Sequence, residues 1–452
     1  TTGDNNHAIG WNAGTNITTG TQNIFMGRDA GYRMVSGSNN VLIGDNVSYN
    51  SYGSSQNTII GSFAGYSVTT GTGVVGLGYK AGYANKGQGQ WIAIGYEAMG
   101  GTPGTNEAAG QAIGYRAMFA AMDGSGGTAI GNSALEYLVG QHAVAIGSSA
   151  GRYATGSYNT FVGSSAGQGG TTSAPYSSGE KNVAVGYGAL DAFTTGYQNV
   201  AIGYDAGGAI TTSQYNVLIG TDAGKSITSG AGRSVLIGQF AGDAQTTADY
   251  NVAIGYHAMG ANQVGMDNTI IGGAAGSALL GPENTIVGTY AGDALTTSSG
   301  SVVIGHNALT TATTDKYGVA IGFEAMKLTP AGLALETTIA IGYQAMKGSG
   351  NTTSGISGNV AIGSFAGGAI TSGGNNVFLG YMAAANVTAG SKNVIVGRHA
   401  GNKLASGSED TYIGYGAGYY ATGSYNTFVG SEAGKGGTTS APYSSGQNNT
   451  AM

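Results

Sequence analysis

The phrase Asn199 to Thr212, NVAIGYDAGGAITT, returns about every 17 residues from one end of the chain to the other, with openings at Asn23, Asn40, Asn57, Asn182, Asn216, Asn251, Asn284, Asn359, Asn376, Asn393 and Asn426. A fixed period of this length restricts the chain to a repeat architecture in which each unit rests on its neighbours. Aligned on the glycine that closes the phrase (Gly10, Gly27, Gly44, Gly203, Gly220 and so on to Gly430), there are roughly 25 copies. No linker or shift in composition interrupts them, so residues 1–452 read as a single continuous solenoid.

Within one copy, the residue before the glycine is aliphatic or Met (Met26, Ile43, Ile202, Ile219), and the residue two places earlier is usually β-branched (Val41, Val200, Val217). That alternation reads as a short strand. The residue between them is also apolar (Phe25, Leu42, Ala201, Leu218, Phe378), and a strand apolar on both faces is covered on both. The expected assignment puts Val200, Ile202, Val217 and Ile219 inside the coil, with Gly203, Gly220, Ala206 and Ala223 completing the repeat core. Phe161, Leu218, Ile270, Ile286 and Phe378 then form an outer stripe that needs a partner. Three residues past the glycine stands Ala (Ala13, Ala30, Ala206, Ala223), with Val47 the exception, as a position where another backbone passes close requires. A less regular piece ending in Thr-Thr-Gly predicts a second short strand and a turn. The Asn that opens most coils predicts a ladder of side-chain amides bonded from coil to coil.

Composition agrees with a repeat fold. The chain has 87 Gly, 5 Pro and 8% charged residues, against about 25% charged for an average globular domain. Net charge is −6 with scattered basic residues, which provides no footprint for nucleic acid or anionic lipid. Cysteine is absent, and no apolar run is long enough to span a bilayer, so no membrane insertion is expected of this segment. The repeat stops one residue short of its glycine at Met452, which reads as a piece of a longer chain. Extra residues enter near 100–110, 168–181, 328–336, 348–358 and 435–446, and insertions in a solenoid map to side loops. QGGTTSAPYSSG at 168–179 recurs as KGGTTSAPYSSG at 435–446, either as a duplication or as a repeated loop presenting Tyr176 and Tyr443 to a ligand.

Strings that imitate catalytic motifs dissolve into the repeat. Gly147-Ser148-Ser149-Ala150-Gly151 and Gly163-Ser164-Ser165-Ala166-Gly167 match the hydrolase nucleophile turn, but their middle serine is Asn12, Asp29, Phe63, Lys80 or Glu97 in other coils and no helix follows. The five histidines are far apart and acidic residues lack calcium-loop spacing, so no catalytic residue, cofactor or metal is expected. Tyr recurs after the glycine (Tyr79, Tyr96, Tyr115, Tyr187, Tyr204), as a stacking ladder, a subunit seam or a sugar-binding strip.

Phrases such as NVAIGYDAG, NTFVGSSAG and NVIVGRHAG resemble the head repeats of trimeric autotransporter adhesins and the repeats of bacteriophage tail fibres. The resemblance implies a left-handed parallel β-roll packed as a homotrimer, extracellular, on a virion or a cell-surface appendage. The expected function is a structural fibre or spacer that supports host attachment. The alternative is a bacterial trimeric adhesin whose rod surface binds host glycan or matrix protein.

Overall fold

The structure, a computed structural model, describes residues 3–86, 89–101, 110–120, 126–171, 176–230, 232–247, 249–328, 334–348, 355–437 and 445–452. Most of the expected side loops at 100–110, 328–336, 348–358 and 435–446, with Tyr443, and residues 172–175 of the loop at 168–181 lie outside these residues. The fold is an all-β parallel solenoid with about 17 residues per turn, and no helix occurs among the described residues. Contacts divide the chain into two units, Thr1–Gly232 and Arg233–Met452.

In the first unit, thirteen described strands from His7–Ile9 to Val217–Ile219 pair in parallel, each with the next coil's equivalent. Register never slips: Val200 faces Val217, Ala201 faces Leu218 and Ile202 faces Ile219. The second unit repeats the pattern from Val235–Ile237 to Thr450–Ala451.

Each coil contributes one three- or four-residue strand to this sheet, not the two strands expected. Among the described residues the expected second strand forms only at Thr314–Lys316 and Ala334–Glu336, which pair with each other. Elsewhere the chain turns too often. The glycine after the strand has φ between 123° and 144°, and a Cβ there would strike the carbonyl of the next coil's glycine. Two residues on, the backbone is left-handed whatever the side chain, as at Asp29, Phe63, Glu97 and Asp205. Left-handed residues interrupt the extended run a strand needs. Inter-coil bonds nevertheless continue around the coil, from Asp205 N–H to Tyr187 O (2.9 Å), Gly207 N–H to Ala223 O (3.0 Å) and Thr211 N–H to Thr228 O (2.8 Å).

The two faces of the strand are the reverse of the expected assignment. Ala201 and Leu218 are fully buried, as are Phe25, Phe161, Ile270, Ile286 and Phe378, and they fill the coil interior. Ile202 is 38% exposed, and Val200, Val217 and Ile219 are half-buried on the outer face. Ala206 and Ala223 are buried as expected. A fourth inward column, four residues past the Ala, carries Met34, Val68, Phe193, Ile210 and Leu404.

Core volume is conserved between columns. Where the strand centre is Phe25, Phe161 or Tyr412, the residue after the inward Ala is Gly31, Gly167 or Gly418, whose added Cβ would overlap the ring. Where the centre is Ala112, Ala129, Ala184 or Ala253, that place holds the buried Met118, Leu135, Leu190 or Met259, despite positive φ. The Ala201 coil pairs with Gly207, and Leu190 and Leu218 of adjacent coils occupy the space. Close packing at native density makes such exchange necessary, since a void or an overlap costs stability.

The expected amide ladder is present and buried. Asn182 Oδ1 accepts from the Asn199 backbone N–H (3.0 Å) and Nδ2 (3.2 Å), and Asn359 Oδ1 accepts from both groups of Asn376 at 2.9 Å. Most of these Nδ2 groups also donate to a carbonyl of the following coil, as Asn376 does to Gly390 O at 2.8 Å. One side chain thus satisfies a backbone donor on one side and a backbone acceptor on the other, in a fully buried position.

Candidate interaction surface

With the bulky centre residues inside, the outer sheet face is a row of paired aliphatic side chains. Met26, Ile60, Ile113, Ile130, Ile146 and Ile202 are exposed along the first unit, and Ile271, Ile362, Ile413 and Val429 along the second. Tyrosines just past the glycine border this row. Tyr79, Tyr96 and Tyr115 stack with centroids 5.2 and 5.4 Å apart, and Tyr187 and Tyr204 stack at 5.3 Å. In the second unit His306, Phe323 and Tyr343 continue the theme at 5.5 Å with planes 7° apart. Exact register places like side chains at strand spacing, about 4.8 Å, close to the separation at which aromatic rings stack.

A second aromatic column, Tyr32, Tyr49, Tyr66 and Tyr83, runs along the turns at 5.1 to 5.4 Å. Tyr176, the described member of the repeated-loop pair, is half-buried and stacks on Tyr137 at 4.6 Å and on Tyr153 at 6.1 Å. Its ring extends an aromatic column of the solenoid side. Burial beside Glu136 and Tyr176 raises the Tyr137 hydroxyl above its ordinary range.

Charged side chains pair mainly between coils. Arg28 chelates Asp45 through two bonds of 2.8 Å, which hold the Asp45 carboxyl below its ordinary range. Glu136, whose side chain is fully buried, sits between Arg116 Nη2 (3.0 Å) and Arg152 Nε (2.7 Å). Lys327 and Lys347 pull the Glu324 carboxyl down to about 2. These pairs leave the aliphatic row as the surface feature common to nearly all coils.

Ser149 and Ser165 of the two hydrolase-like strings lie at the left-handed turn position, at φ 57° and 56°. His142 stacks on Tyr158 at 5.5 Å and His257 lies tilted against Phe240 at 4.9 Å, so these imidazoles belong to aromatic columns. Among the described residues no group of three or more His, Cys, Asp or Glu is placed to hold a metal ion, and no helix is long and apolar enough to cross a membrane. The site that residue-by-residue reading missed is a gap in the left-handed column at Gly416, whose sequence signal is a glycine two places past the closing glycine.

Fold and surface together define a parallel β-solenoid with an aliphatic outer sheet face edged by stacked tyrosines. Comparison with protein-family models, curated proteins and solved structures gives no match.

Proposed function

We propose that the chain is a structural spacer of a homotrimeric extracellular fibre, such as a phage tail fibre or a surface appendage that supports host attachment. Its outer sheet faces meet at the subunit seam. The observation that carries this reading is the aliphatic row, present on one side of successive coils in both units. Contiguous apolar surface beyond a few hundred Å² is rare on soluble monomers. A stripe that repeats at strand spacing is matched along its length by a surface with the same spacing, and another copy of this chain has it. Closed symmetry lets identical stripes cover one another, and the resemblance to adhesin heads and tail-fibre repeats selects three copies. The role is mechanical: the serine strings that imitate a nucleophile turn are ordinary turn positions of the coil.

Sedimentation and native mass of the intact chain test the proposal. A trimer is expected, and the double variant Ile202→Asp, Ile219→Asp dissociates it while circular dichroism stays that of the parent. A stable monomer of the parent chain at micromolar concentration overturns the covered-face argument, and a dimer overturns the threefold assembly.

A further inference from the structure

The left-handed column carries a side chain in every described coil but two. At Gly188, the one other place in the described chain where this position is glycine, an added Cβ would overlap Asp205 Oδ1. Gly416 differs. Its φ is 60°, it lies between His399 of the preceding coil and Glu432 of the following one, and a Cβ there would meet only Glu432 Cγ, at 3.8 Å. One side chain is missing from a column whose members follow at strand spacing, about 4.8 Å, so the vacancy has roughly the thickness of one ring. It opens into a shallow cavity of about 130 Å³ lined by His399, Tyr415, Tyr419, Tyr420, Glu432 and Lys435. That volume is below the roughly 300–1,000 Å³ of a pocket that encloses a drug-sized ligand, so the slot suits one face of a single small ring.

We propose that the Gly416 slot is a binding site for a neutral pyranose sugar, seated in the place of the missing side chain. The wall chemistry selects the ligand. The Tyr419 ring lies 6.1 Å from His399 and 4.6 Å from Tyr420, so aromatic surface flanks the slot and suits the C–H face of a sugar ring. Lys435 Nζ binds Glu432 Oε1 at 2.7 Å, which cancels the charge of both groups and disfavours an ionic ligand. The second Glu432 oxygen remains to accept a sugar hydroxyl. His399 Nδ1 is shielded from solvent and makes no hydrogen bond among the described residues. Burial and the neighbouring Arg398 lower the His399 pKa, which favours the neutral ring and leaves this wall of the slot uncharged. This site does not rest on the trimer reading, since its walls come from consecutive coils of one chain.

The test is a titration of the whole chain with methyl glucopyranosides, galactopyranosides and mannopyranosides, followed by saturation-transfer NMR and tyrosine fluorescence. At least one glycoside is expected to saturate, with a dissociation constant on the order of 1 mM for so open a slot. Gly416→Asn fills the vacancy with a residue that the same position accepts at Asn12, Asn46 and Asn307, at φ 51° to 54°. It is expected to abolish saturation with the melting curve and assembly state unchanged. Glu432→Gln, which keeps the side-chain shape, weakens binding at least about tenfold if the carboxylate takes a hydroxyl. The proposal is overturned by absence of saturation with every glycoside, by binding that survives Gly416→Asn, or by a slot that binds phenol in preference to all the sugars.

Discussion

Replacement of Asn376 by Ala tests whether the buried amide ladder holds the coils together. In the intact chain Asn376 Oδ1 accepts the Asn393 backbone N–H at 2.9 Å, while Nδ2 donates to Gly390 O at 2.8 Å and to Asn359 Oδ1 at 2.9 Å. Asn359 Oδ1 keeps the Asn376 backbone N–H at 2.9 Å after the change, so it stays satisfied. The Asn393 N–H and the Gly390 carbonyl lose these partners at a place where Asn376 and Asn393 are fully buried. At about 1–3 kcal/mol for each orphaned group, the loss is about 2–6 kcal/mol. Guanidinium unfolding followed by circular dichroism reads the total, and hydrogen exchange at Val377–Leu379 and Val394–Val396 reads where it falls. Nearest-neighbour coupling in a solenoid concentrates the loss of protection in those coils and the ones beside them. A change below about 0.5 kcal/mol, of the size usual for surface substitutions, with unaltered exchange would refute the ladder as a source of cohesion.

Two further substitutions probe the interior. Gly167→Ala places a methyl group inside van der Waals contact of the buried Phe161 ring at φ 54°; overpacking and left-handed strain together are expected to cost about 2–5 kcal/mol. The double variant Gly167→Ala, Phe161→Leu should recover part of that loss in denaturant melts, and equal stability of parent and single variant would contradict the volume exchange between columns. Asp315 stands where Gly318 leaves the ladder without a side chain, and burial pushes its carboxyl up from 3.8 to about 6. An acid with a raised folded-state pKa holds its proton more tightly when folded, so its stabilising effect is full below about pH 3.8 and is lost as pH rises through 6. Asp315→Asn is therefore expected to raise stability at pH 7 by about 3 kcal/mol and to flatten the pH dependence between these limits; an unchanged slope in melts from pH 4 to pH 7 would remove Asp315 as its source.

The repeat by itself determined the parallel solenoid, the coil length and the buried asparagine ladder. A phrase of period-two apolar residues returning at constant spacing stacks equivalent strands, and the Asn amide carries separate donor and acceptor groups that can bond to the coils on either side at once. The aromatic columns were legible for the same reason, since Tyr79, Tyr96 and Tyr115 share one place in the coil and equal register stacks them. The inward face of the strand was not legible. Val200, Ala201 and Ile202 are all apolar, so period-two alternation has no polar member to mark the outside, and only closure of the coil shows that Ala201 is enclosed and Ile202 is not. The expected second strand failed because residues such as Phe63, Glu97 and Met118 occupy left-handed backbone, a conformation their side chains do not announce and that stacking against identical neighbours imposes. The Gly416 slot belongs to the same category: a glycine in a glycine-rich repeat signals nothing until the tertiary structure shows that no neighbouring side chain has moved into its place.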